Sequence, residues 1–133
     1  MSALAVDTHV VIWYLTQPQK LSQAARDAIV HAEGSGGPIY VSAISLVEMR
    51  YLVEKGRLMP TLIQQTEDAL DDPSSPLLLV PIDRAVTRSL GGVARNDVPD
   101  MPDRIIAATA LYLDVPLITR DGLIRAASIT TIW

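Results

Sequence analysis

Short apolar runs alternate with longer amphipathic stretches along this chain. Runs rich in Leu, Ile and Val occupy 3–6, 39–42, 77–82, 116–119 and 129–132, lengths that suit strands. Helical spacing fills the intervals. Ser22 caps a helix through about residue 33, stopped by Gly34-Ser35-Gly36-Gly37-Pro38, and a second runs from about Ala43 to Lys55 and ends at Gly56. Thr61 caps a third that stops at Asp71-Asp72-Pro73, and Asp83 caps another that ends near Gly91-Gly92. Met101 to Leu113 forms a further helix, and residues 122–127 a last short one. Strands alternating with helices predict an α/β fold whose parallel sheet is covered on both sides. Without a repeat or a low-complexity linker, 133 residues suit one domain, 1–133.

Composition narrows the chemistry. Hydrophobic residues make up 49% of the chain, yet no apolar run approaches a membrane span, so no membrane association is expected. The start, Met1-Ser2-Ala3-Leu4-Ala5-Val6-Asp7, lacks the charged opening and long apolar segment of a signal peptide. There is no cysteine, which excludes disulfides, thiolate nucleophiles and thiolate metal sites and fits a cytoplasmic protein. Fifteen acids against eleven bases give a net charge of −4. Setting four particular acids aside leaves 11 against 11, so the formal acidity can reside in one pocket that cations neutralise. No broad basic surface exists for salt-sensitive nucleic-acid binding, so RNA would need a local grip. Nine of the eleven bases are Arg, which favours bidentate phosphate contacts.

The four acids are Asp7, Glu48, Asp103 and Asp121, each interrupting an apolar stretch. Asp7 follows Leu4-Ala5-Val6 and Asp121 follows Leu117-Ile118-Thr119-Arg120, so both sit just past the carboxyl end of a strand. In open parallel sheets that edge is where ligands bind. Glu48 falls inside the arc of Ile44, Val47, Tyr51 and Leu52, the side expected to face the core. Its alternative is a capping box, Ser45-x-x-Glu48, although Ser42 offers an equally good helix start. Asp103 shares a face with Ile106, Ala107 and Ala110, at the head of a helix apolar nearly all round and therefore buried. Singly, Asp7 and Asp121 read as helix caps, and Asp103 as a dipole-complementing acid in a first turn. Together they share a more economical explanation. Burying unpaired carboxylates is costly, and four of them about 5 Å apart repel by roughly 3 kcal/mol per pair at an effective dielectric near 20. A divalent cation compensates all four. Oxygen-only ligation selects Mg²⁺ or Mn²⁺ over Zn²⁺ and points to hydrolysis of a phosphate ester.

Thr8, Ser42, Ser45 and Thr119 are candidates for fixing the geometry around that centre, or simple capping hydroxyls. Arg50, Arg104 and Arg120 each lie within two residues of a candidate ligand, placed to meet a scissile phosphate or to neutralise the crowded acids. His9 reads as a helix-start histidine or a proton relay, Asp97 and Asp100 as turn and cap residues with an outer-sphere role at the metal open to them, and Trp13, Tyr14, Tyr40, Tyr51 and Tyr112 as core or interface.

Four segments, Val6-Asp7-Thr8-His9, Ser42-Ala43-Ile44-Ser45-Leu46-Val47-Glu48, Pro102-Asp103-Arg104-Ile105-Ile106-Ala107-Ala108 and Leu117-Ile118-Thr119-Arg120-Asp121, resemble in order and spacing the PIN-domain ribonucleases. The closest type is the VapC-like toxin of type II toxin–antitoxin pairs, and the likeness covers essentially the whole chain. It implies a three-layer α/β/α sandwich around a mainly parallel sheet. It implies Mg²⁺- or Mn²⁺-dependent endonucleolytic cleavage of RNA, with Asp7, Glu48, Asp103 and Asp121 as catalytic metal ligands. It also implies a homodimer and a small antitoxin that occludes the site. One departure stands out: relatives often carry Asp-Pro-x-Asp-Arg where this chain has Asp100-Met101-Pro102-Asp103-Arg104, which leaves the place of Asp100 open. Rival acid-rich folds fail on named residues. A receiver domain wants a lysine after its later strands, and none follows Lys55; a dehalogenase-type phosphatase wants Asp-x-Asp, and position 9 is His. The remaining alternative is a catalytically silent PIN-like binding or scaffold module, which the intact acidic set disfavours.

Overall fold

Every residue of strand β1 (Leu4–Val6) is buried, because helices cover both of its faces. The computed structural model describes residues 3–133; Met1 and Ser2, the first two residues of the uncharged start, lie outside the described residues. Strands β2 (Ile39–Ser42), β3 (Leu77–Val80), β4 (Leu117–Ile118) and β5 (Thr131–Ile132) complete a sheet of order β3-β2-β1-β4-β5. Every pairing is parallel. The period-2 alternation of strands splits the core in two. Leu4, Val6, Ile39, Val41, Leu77 and Ile118 meet Val10, Val11, Ala25, Ile29 and Leu62 on one face. Ala5 and Leu117 meet Ile106, Ala107, Ala110 and Ile124 on the other. Those partners come from helices α1 (Thr8–Thr16), α2 (Gln23–Gly34) and α4 (Thr61–Asp71) on the first face, and from α6 (Met101–Leu113) and α7 (Gly122–Ala126) on the second. Helix α3 (Ala43–Glu54) gives Met49 to one core and Ile44 to the other. Helix α5 (Arg84–Ser89) continues into a 3₁₀ turn and lies against α6. This is the α/β sandwich in three layers that the alternation of runs predicts.

Chain order doubles back at β1. The polypeptide moves outward from β1 to β2 and β3, then returns to place β4 on the other side of β1. The crevice past the carboxyl ends of β1 and β4 is therefore the switch point at which open α/β sheets bind ligands.

Several boundaries differ from expectation. The run at 77–82 pairs only to Val80, since Pro81 has no N–H to donate to a ladder. Thr61 is the first helical residue of α4 and caps nothing; Pro60 precedes it, and no side chain caps that end. In α3 the cap is Ser42, whose Oγ accepts from the Ile44 N–H at 3.2 Å, so Ser45-x-x-Glu48 is no capping box. The apolar arc of α3 is not a core stripe either. Val47 is 47% and Tyr51 60% exposed, while the residues buried are Ile44, Ser45 and Met49. On α6, Ile106 to Ala110 are buried as expected, but Leu111 is exposed. The end of α3 follows the sequence closely. Gly56 adopts φ +73°, and its N–H and that of Arg57 bond to the carbonyls of Val53 and Leu52, closing the helix as glycine in that position allows. Among the described residues no helix is long and apolar enough to cross a membrane.

Candidate active site

Asp7 leaves β1 in extended conformation and caps α1, with Oδ1 accepting from the Val10 N–H at 3.0 Å. Its Oδ2 accepts from the hydroxyl of Thr119, which is fully buried at the end of β4. The same Thr119 oxygen accepts the Asp121 N–H at 3.0 Å, and Asp121 Oδ1 in turn caps α7 through the Ile124 N–H at 2.9 Å. One threonine thus locks two acids together across the switch point. Opposite them, Thr8 Oγ1 lies 2.5 Å from Glu48 Oε1 and 2.9 Å from Ser45 Oγ. A hydroxyl has a single proton, and a carboxylate is the stronger acceptor, so Thr8 donates to Glu48 while Ser45 donates to Thr8. Asp103 lies in the first turn of α6, and its N–H is capped by Asp100 Oδ2 at 3.1 Å. Asp7 and Asp121 are both helix caps and both line the pocket, each capping through Oδ1, while the second oxygen of Asp7 takes the Thr119 hydroxyl.

Asp7, Thr8, Glu48, Asp103 and Asp121 line one open pocket of about 370 Å³, together with His9, Trp13, Asp100 and Arg120. Asp100, read in the sequence as a cap with an outer-sphere role open to it, joins the four acids in the pocket. Its capping position was legible, but the turn that carries it into the pocket is a matter of tertiary structure. The electrostatics record the crowding. Burial raises Asp7 above the ordinary carboxylate range, against the stabilising hydrogen bonds from Thr119 and Val10. Burial likewise raises Glu48, with the charges of Asp100 and Asp7 adding to it and the Thr8 bond opposing. Asp103 is pushed up to about 7, first by burial and then by the charges of Asp100, Asp121, Glu48 and Asp7.

The donor set fits a hard cation. Among the described residues, no three acidic or histidine side chains close on one point; the carboxylates are spread around the lining of one open pocket instead. Mg²⁺ keeps several waters and takes only one or two carboxylates directly, so an open, all-oxygen, self-repelling pocket suits it. A tetrahedral zinc site built on thiolates is ruled out by the lack of cysteine.

The three arginines separate. Arg104 turns away from the pocket: Nε and Nη2 donate to the carbonyls of Val93 and Leu90, each at 2.9 Å. Its role is to tie α6 to the connection before it, which removes it from the candidates for phosphate contact. Arg50 lines a separate groove between α3 and α4. Arg120 lies in the acid pocket with Trp13, whose ring also belongs to the buried core, as the core-or-interface reading expects.

A model of the PIN domain matches residues 4–129 of this chain. The chain belongs to the PIN-domain family. Ribonuclease VapC22 of Mycobacterium tuberculosis is 31% identical to this PIN domain over 126 residues, which cover 95% of this chain and 92% of the relative. Among solved structures, VapBC2 from Rickettsia felis bound to a DNA fragment from its promoter matches with a TM-score of 0.72 at 15% identity, over 97% of this chain and 96% of that one. A toxin–antitoxin complex from Klebsiella pneumoniae matches with a TM-score of 0.65 at 23% identity, over 98% and 96%. At such identities the structural matches establish the three-layer PIN fold of this chain, as the resemblance implies.

Proposed function

We propose that this single domain of residues 1–133 is a metal-dependent endoribonuclease that acts in the cytoplasm as the toxin of a toxin–antitoxin pair. One observation carries the reading above all: acids from the ends of two strands and from two helices share one pocket at the switch point of a PIN fold. The likeness to Ribonuclease VapC22 over nearly the whole of both chains supports it. Asp7, Glu48, Asp103 and Asp121 would hold Mg²⁺ or Mn²⁺, with Asp100 beside them. The bound ion would supply an activated water and charge stabilisation on the phosphodiester. Thr119 orients Asp7 and fixes the backbone of Asp121, while Thr8, backed by Ser45, orients Glu48. No nucleophilic side chain is required of the protein.

An antitoxin partner has a surface to use. An apolar shelf lined by Val47, Tyr51, Leu52 and Met101 adjoins the acid pocket and shares His9 and Glu48 with it. A small protein seated there would cover the mouth. A homodimer is the assembly state we propose on the family resemblance. The test is incubation of the purified chain with total RNA, Mn²⁺ or EDTA, and mapping of new ends. Internal cuts that appear with Mn²⁺, vanish with EDTA and are lost in Asp7→Asn are expected. Metal-independent cleavage would overturn the metal-dependent mechanism, and no cleavage by a folded, metal-replete protein would overturn the reading in favour of a silent scaffold.

A further inference from the structure

We propose that Arg120 grips a phosphate of the RNA at the mouth of the acid pocket, and that Trp13 is the platform that holds its guanidinium in position. The inference rests on the ribonuclease reading and identifies how that site receives its polyanionic substrate. Five carboxylates line the pocket, and the basic side chains that line it with them are Arg120 and His9. An RNA strand approaching those acids is repelled unless a cation of the protein meets it beside the metal. Arg104 is bonded to two backbone carbonyls, and Arg50 lines another groove.

Arg120 Cζ sits 4.9 Å from the centre of the Trp13 ring. That ring is only 9% exposed and is flanked by His9 at 5.8 Å and Trp133 at 6.0 Å, both tilted against it. A ring fixed on several sides cannot follow the arginine, so the arginine follows the ring. Stacking holds the plane of an otherwise exposed guanidinium and lowers the entropy lost when RNA binds. Among the described residues the guanidinium makes no hydrogen bond or ion pair with the protein. An arginine placed only to neutralise the acids would bond to one of them. This one keeps the edge of its fork free, in the geometry that matches a phosphate bidentately.

The experiment is binding of a labelled single-stranded RNA oligonucleotide by fluorescence anisotropy at several salt concentrations, with Ca²⁺ in place of Mn²⁺ so that affinity is read apart from turnover. For Arg120→Ala, affinity should fall about ten-fold, and the slope of log affinity against log salt should flatten by about 0.7, the loss of one phosphate contact on a single strand. Arg120→Lys should keep the slope and recover part of the affinity. Trp13→Phe should keep the slope with a smaller loss. A folded Arg120→Ala protein with wild-type affinity and slope overturns the inference while leaving the ribonuclease reading intact. A wild-type chain that neither binds nor cuts RNA overturns both.

Discussion

Two threonine hydroxyls decide where the acids of this site point. Thr119 donates to Asp7 and accepts from the backbone of Asp121, and Thr8 donates to Glu48. Replacing Thr119 with valine keeps the volume and removes both bonds, leaving a buried carboxylate short of a donor. Such a loss costs about 1–3 kcal/mol, so Thr119→Val should lower the melting temperature of the metal-free protein and reduce RNA cleavage well beyond what that instability explains. Wild-type cleavage by a fully folded Thr119→Val protein would show that Asp7 needs no such support. Thr8, Ser45 and Thr119 were legible only as candidates that capping hydroxyls would match equally, and Ser42 of the same set proves to be such a cap. Arg104 was not legible. Spacing put it one residue from Asp103, and nothing in the sequence announces that its side chain runs toward Leu90 and Val93.

At the scale of elements, α6 is held at its head from two directions. Asp100 caps it, and Arg104 bonds back to the connection that follows α5. Arg104→Met retains the stem but strands two carbonyls, and hydrogen bonds to charged donors are worth about 1.5–3 kcal/mol each before compensation by water. Urea unfolding should detect a loss of about 2 kcal/mol, with the salt slope of RNA binding unchanged. A changed slope would return Arg104 to the RNA-binding surface. Helix α3 shows where periodicity misleads. Ile44, Val47, Tyr51 and Leu52 form the apolar arc that the pattern finds, yet Val47 and Tyr51 face outward. A hydrophobic stripe reports only that a face prefers not to meet water. It does not say whether the cover is the chain's own core or another molecule. Glu48 was placed correctly for a reason only partly correct, since it lies at the border of that outward face, beside the pocket.

For the whole molecule, the gathered charges set the response to pH. Asp103 titrates near 7 in the folded protein against 3.8 ordinarily, and Asp7 and Glu48 are raised in the same direction. Between those values the folded state holds a proton that the unfolded chain has released, so stability falls as pH rises across that window and levels off above it. The metal-free protein should therefore melt at a lower temperature at pH 8 than at pH 5, and Mn²⁺ should raise the pH 8 value most. Equal melting temperatures across the range without metal would mean the acids are not crowded. The architecture itself was readable, because alternating runs and strand-end acids leave few ways to close a parallel sheet. The sheet order has one more result. The bond from Thr119 to Asp7 joins positions 112 apart, and β4 docks beside the first strand only after everything between has been made. A ribosome must therefore have released the segment carrying Thr119 and Asp121 before the centre can assemble, so a chain interrupted ahead of that segment cannot close the pocket.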